Sequence, residues 1–164
     1  MRGIALEPAY ADPPRYADEN VLYPIYARCE QVNLPVVLTM SIYQGNLDYS
    51  DPAAVQRVAK DFPGLSLILA HACYPWIPQV FNLCLVQPNI WLIPDIYMYN
   101  PYVPGNEMYG QAMRWLNGER MLFGSAYPCY NLKQAIEDIQ RFGFKDELLE
   151  KFFYGNARKL LGLQ

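Results

Sequence analysis

Short, nearly continuous apolar runs alternate along this chain with longer stretches in which apolar residues recur at helical spacing. Arg2 to Leu6 is closed by Glu7-Pro8, which predicts a buried strand followed by a loop rich in Pro and Asp through Asn20. From Val21 to Val32 the residues Leu22, Ile25, Tyr26 and Cys29 fall on one helical face, and Asn33 follows as a C-cap. Leu34 to Met40 reads as a second strand. After a polar loop, Asp51 offers an N-cap with Pro52 at the first helical position, so a helix is expected from Ala53 to Phe62, stopped by Pro63-Gly64.

The run Leu65 to His71 is almost wholly apolar, as a strand covered on both faces should be. A third helix is expected from about Pro75 to Val86, and Pro88-Asn89 turns the chain into a fourth strand, Ile90 to Ile93. A long loop from Pro94 to Gly105 then leads to a helix from about Glu107 to Leu116. Arg120 to Gly124 predicts a fifth strand, followed by the loop Ser125 to Tyr130 and a helix from Asn131 to Phe142. Two short helices, Lys145 to Phe153 and Asn156 to Leu161, close the chain.

Strand and helix thus alternate with a spacing of about 30 residues per unit, the signature of βα units in a parallel sheet with right-handed crossovers. Five such units cannot close an ordinary eight-stranded barrel, which takes about 250 residues. The chain is therefore a fragment, an open sheet, or one part of a structure that a partner completes.

Composition narrows the function classes. The chain is 52% hydrophobic and 18% charged over 164 residues, enough for one sizeable core, and residues 1–164 are expected to form one domain. Its formal charge of −3 comes from 13 basic and 16 acidic residues scattered without a cluster, which argues against nucleic acid and anionic membrane as partners. No apolar run approaches the roughly 20 residues needed to cross a bilayer, and the start is too short and too soon interrupted by Glu7-Pro8 for a signal peptide, so a cytoplasmic location is expected. Cys29, Cys73, Cys84 and Cys129 show no C-x-x-C spacing and lie in apolar or aromatic settings that suit buried thiols. The 14 tyrosines and 14 prolines are concentrated in the loops, where they can wall a pocket.

The segment Met121-Leu122-Phe123-Gly124-Ser125-Ala126-Tyr127-Pro128, with Phe153-Tyr154-Gly155-Asn156-Ala157-Arg158-Lys159-Leu160-Leu161, resembles the end of the amidohydrolase-related, metal-dependent hydrolases. Phe62-Pro63 through Leu69-Ala70-His71 and Trp76 is similar to that family's sixth strand, and Pro88-Asn89-Ile90-Trp91 to its seventh. The resemblance implies a parallel (β/α) barrel of the TIM type, of which this chain supplies about five units, the family's fourth to eighth. It also implies a divalent metal, zinc first. However, the paired histidines that follow the family's first strand lie outside this chain, Thr39 stands where the fifth strand ends in a histidine, and Ala126 stands where the eighth delivers an aspartate. A catalytic zinc needs about three protein ligands and an open position for water.

His71 is the one histidine in the sequence and falls where the sixth strand ends, the face on which barrel enzymes build their sites. The resemblance implies a general acid/base role for it, a proton shuttle that imidazole performs with or without a metal; without the resemblance, a lone histidine after an apolar run reads as a structural residue. Asp95 should lie at the carboxyl end of the next strand, and Glu7 at that of the first. His71, Asp95 and Glu7 form a candidate metal or acid/base set, against the plainer reading that Asp95 caps a loop and Glu7 binds backbone amides or an arginine. Trp76, Tyr97, Tyr127 and Ser125, with Tyr43, Tyr99 and Tyr102, fall in the loops after the strands and are candidates to line a substrate pocket, or else pack loops and subunits together. The reading is a hydrolase or decarboxylase acting on a small organic acid, amide, lactone or ester. The alternative is a non-catalytic relative that binds a small molecule or acts by self-assembly. Open sheet edges predict a homo-oligomer.

Overall fold

A computed structural model describes residues 2–40 and 46–163. Strands β1 (Ile4–Leu6), β2 (Val36–Thr39), β3 (Leu67–Ala70) and β4 (Ile90–Ile93) form one sheet in the order β1-β2-β3-β4, with helices α1 (Tyr23–Gln31), α2 (Pro52–Asp61) and α3 (Ile77–Val86) between them. The remaining helices are α4 (Ile96–Tyr99), α5 (Glu107–Trp115), α6 (Leu132–Ile139), α7 (Asp146–Glu150) and α8 (Asn156–Leu161). Alternating parallel strands and helices are the architecture of part of a (β/α) barrel. The chain falls into two compact units, residues 1–91 and 92–164.

In the first unit the local signals act as the sequence suggests. The Asp51 carboxylate accepts from the Ala53 amide at 2.8 Å, and Pro52 opens α2 where its missing N–H costs nothing. Asn33 adopts the left-handed conformation (φ 53°) after α1, and the Leu34 amide donates back to the Cys29 carbonyl at 2.8 Å. Both strand pairs are parallel and in step: Leu6 lies beside Leu38, Leu38 beside Leu69, and Thr39 beside Ala70. Because side chains alternate along a strand, Val36, Leu38, Leu67 and Leu69 share one face, and none of them has exposed surface. Val37, Thr39 and Ala70, on the other face, are only half-buried. Asn89 is 9% exposed and its amide donates to the carbonyls of Ala59, Phe62 and Leu65 at 3.0–3.2 Å, tying the end of α2 to the start of β4.

The second unit departs from expectation at the fifth strand. Arg120 to Gly124 is reduced to one parallel bridge between Met121 and Leu92, with the Leu92 amide donating to Arg120 (2.9 Å) and the Leu122 amide to Leu92 (2.8 Å). Arg120 enters in the left-handed conformation (φ 59°), and the Phe123 amide turns away to the Phe152 carbonyl at 3.0 Å, so the ladder cannot extend in either direction. The helix expected to reach Phe153 stops at Glu150 and continues as a wide π-type turn, Lys151–Gly155. That turn delivers Asn156, which is 3% exposed, and its amide donates to the carbonyls of Gly118 (2.6 Å) and Met121 (2.8 Å). The loop expected from Pro94 to Gly105 contains α4. Cys29, Cys73 and Cys84 are buried, but Cys129 is exposed, correcting the expectation that all four are interior thiols; it lies in the loop before α6, whose neighbours Pro128 and Tyr127 also face outward.

Replacing Asn156 with alanine strands two carbonyl groups in a buried setting. Asn156→Ala is expected to lower stability by about 1–3 kcal/mol, read as a reduced urea midpoint with little change in slope.

Candidate functional site

Parallel, in-register strands place the residues that follow them at one edge of the sheet. In the first unit Glu7 follows β1 and aligns with Thr39, whose hydroxyl donates to the Glu7 carboxylate at 3.4 Å. This contact is long and exposed, and Glu7 is otherwise open to solvent. His71 comes directly after β3 and is half-buried. It begins a run of left-handed residues without glycine: His71 at φ 65°, Ala72 at φ 42° and Cys73 at φ 55°. Each costs on the order of 1 kcal/mol, so surrounding structure must hold this turn in place. Ala72 and Cys73 have no exposed surface, and burial pushes the Cys73 thiol well above its ordinary range, which keeps it protonated and inert. Trp76 is half-buried, and its indole N–H donates to the Leu47 carbonyl at 3.4 Å.

In the second unit Asp95 follows β4 through Pro94. It is 3% exposed, has φ 42° and ψ −135°, and its carbonyl accepts from the Met98 and Tyr99 amides at 3.0 and 3.3 Å. Arg141 fixes the far end of this short helix by donating to the Met98 and Tyr99 carbonyls at 2.7 and 2.5 Å, with its guanidinium 4.8 Å above the Phe142 ring. Tyr97 is half-buried beside these residues. Ser125 is half-buried and accepts from the Tyr127 amide at 3.2 Å, while Tyr127 itself is 76% exposed. Tyr102 is 90% exposed, whereas Tyr99 has no exposed surface, as the alternative of loop packing has it. Tyr99 packs against Phe123 and Phe152, with ring centroids 5.7 and 6.4 Å away. Burial is the main cause, and the Asp95 charge the next, that lifts its hydroxyl far above the usual tyrosine range. Tyr43 lies outside the described residues.

The structure thus pairs Glu7 with Thr39 in one unit and buries both Asp95 and Tyr99 in the other. Sequence reasoning offered Tyr99 as a pocket residue or as a packing one, and the structure buries it against Phe123 and Phe152. Among the described residues no group of three His, Cys, Asp or Glu side chains could hold a metal ion. Thr39 and Ala126 add no strong ligand, so the residues present do not fit a zinc centre with the usual three protein ligands. Cavities of about 410 Å³, between α2 and α3, and about 400 Å³, beside α6, are lined by none of the candidate residues.

The family model described as amidohydrolase matches residues 1–163. An uncharacterized TIM-barrel protein from Bordetella bronchiseptica is 35% identical, superposes with a TM-score of 0.91, and is matched over 99% of this chain and 57% of its own. A zinc-bound amidohydrolase from Burkholderia multivorans is 14% identical (TM-score 0.75, 100% of this chain and 65% of its own). The 5-carboxyvanillate decarboxylase of Sphingomonas paucimobilis is 14% identical (TM-score 0.71, 100% and 59%). These last two share the fold. The chain spans between 57% and 65% of the length of these relatives. No curated protein matches it.

At Gly124 a Cβ would lie 2.8 Å from Ile93 Cγ2, in the turn that precedes Ser125. Gly124→Ala is expected to cost about 1–3 kcal/mol as Ile93 and the turn shift apart, measured as a lower melting temperature.

Proposed function

The chain belongs to the amidohydrolase family, and on that premise we propose that it is an enzyme of one barrel-type domain over residues 1–164, acting on a small organic acid, amide, lactone or ester by decarboxylation or hydrolysis. One observation carries this reading. His71 and Asp95 each sit directly at or after the carboxyl end of their strand, in backbone conformations that side-chain-bearing residues rarely adopt (φ 65° and 42°). Strain of this kind persists where the surrounding structure over-determines it, and it is concentrated at sites with a task.

In decarboxylation, His71 as imidazolium gives its proton to the carbon that loses carbon dioxide. The carbon–carboxylate bond breaks, its electron pair stays on that carbon, and the pair takes up the proton. Asp95 is the second base and orients the substrate. In hydrolysis the same groups take a proton from water as its oxygen attacks the carbonyl carbon, then return it to the leaving oxygen or nitrogen. Trp76, Tyr97, Ser125 and Tyr127 belong to the loops that contact substrate. A divalent metal is bound by the zinc-containing relative, but no step is routed through one here, because among the described residues no group of three His, Cys, Asp or Glu side chains could hold a metal ion. The partner is a small molecule, the assembly a homo-oligomer, and the location cytoplasmic; among the described residues no helix is long and apolar enough to cross a membrane.

A second reading is a non-catalytic relative that binds a small molecule or acts by self-assembly. It is favoured by Ala126 and Thr39 standing at the family's ligand positions.

The test is a panel of small aromatic and aliphatic carboxylic acids, lactones, esters and amides, followed by mass spectrometry of products, with metal content measured on the same unchelated protein. Turnover that falls about 10²–10⁴-fold in His71→Ala and Asp95→Asn, with well under one zinc per chain, is the expected result. Absence of turnover across the panel supports the second reading. A full equivalent of metal, lost in both variants, would instead reveal a rebuilt metal site.

A further inference from the structure

Helix α3 is set apart by what its exposed side lacks. All 13 basic and 16 acidic residues of the chain, and its histidine, fall outside the run from Ala72 to Pro94. Ile77, Val80, Leu83 and Cys84 form the buried side of α3, and its exposed positions are Pro78, Gln79, Asn82, Leu85 and Val86. Helical spacing puts these five on one stripe with Asn82 at its middle. Each of the other described helices of eight residues or more exposes a charge: Arg28 on α1, Arg57 on α2, Glu107 on α5 and Lys133 on α6. A helix uncharged all round has the pattern of one covered on every side. Yet Leu85 and Val86 are 50% and 63% exposed. Beside the stripe lies the cavity of about 410 Å³ between α2 and α3, lined by Pro52, Ala53 and Gln56 from α2 and by Gln79, Asn82 and Val86 from α3.

We propose that this stripe is the contact between two copies of the chain, packed antiparallel about a two-fold axis through Asn82, with Leu85 and Val86 of each copy against the groove of the other. The proposal rests on the homo-oligomer of the proposed function and names its surface. Charge selects a second copy as the occupant. A two-fold axis sets a surface against itself, so any charge near the axis would meet its own sign, and this stripe carries none. Loss of charge at the centre is also what distinguishes the core of a subunit contact. Gln79 and Asn82 each hold amide donors and an acceptor, so they complement the same residues of a copy. Asn82 Nδ2 donates one hydrogen to the Pro78 carbonyl at 2.9 Å and has a second to give. An anionic membrane or a nucleic acid would instead call for basic residues here. Antiparallel packing about Asn82 brings Leu85 of one copy to Gln79 of the other and Val86 to Pro78, so the exposed aliphatic tips are covered from both sides.

Sedimentation equilibrium of the full chain tests this with Asn82→Glu, Asn82→Lys and Leu85→Arg, all at exposed positions, with circular dichroism confirming that each variant keeps the parent's fold. The parent is expected to be a dimer, and each variant by itself to dissociate with a constant about tenfold or more higher. Mixing Asn82→Glu and Asn82→Lys in equal amounts is expected to restore dimers, because opposite charges then meet across the axis. A parent dimer indifferent to all of these substitutions would keep the homo-oligomer and remove this face from it. A mixture as weak as its components would overturn the two-fold arrangement. A parent that stays monomeric would overturn the interface and the homo-oligomer together and leave the stripe to a different partner. None of these outcomes depends on turnover, so the enzymatic reading stands or falls separately.

Discussion

The in-register parallel pairing of β1, β2 and β3 is the constraint on which the first unit depends. Once Leu6, Leu38 and Leu69 lie side by side, period-two alternation sends one set of aliphatic side chains into a fully buried face and brings the residues after each strand to the same edge. A slip of one residue would expose Leu38 and Leu69 and bury Thr39 in their place. Burial of large aliphatic side chains, at about 1.5–3 kcal/mol each, outweighs any such alternative. The edge that carries Glu7, Thr39 and His71 is thus a by-product of how the core packs.

The second unit achieves a comparable result with fewer ladder bonds. Where β2 and β3 share a regular register, Met121 makes a single bridge to Leu92, and side chains supply the remaining ties. Asn156 and Arg141 bond main-chain carbonyls that a longer strand or helix would have satisfied by itself. Asn89 does the same in the first unit. Backbone carbonyls in the interior need partners, and long polar side chains from distant segments are the means used here. The asparagine of the Gly155-Asn156-Ala157 motif is accounted for in this way: it closes the unit and is not a reacting group.

The strand ends carry an imbalance. Conformational cost is present at His71 and Asp95, yet Thr39 and Ala126 stand where strong ligands would complete a metal centre. Proton transfer needs only a positioned acid and base, whereas zinc chemistry needs several converging ligands. Among the described residues no group of three His, Cys, Asp or Glu side chains could hold a metal ion.

The sequence by itself determined the alternation of strands and helices, the Asp51 cap, the left-handed Asn33 and the family, because each depends on neighbours within a few residues or on motifs in a fixed order. It also placed His71 and Asp95 at strand ends, since that follows from the strand boundaries. Only the tertiary structure decided that the fifth strand shrinks to one bridge, that Asn156 and Arg141 bind carbonyls roughly 35–43 residues away in sequence, and that Tyr99 turns inward against Phe123 and Phe152. Those outcomes depend on which distant ring, carbonyl or guanidinium occupies the adjacent space, and no local pattern of apolar and polar residues encodes that.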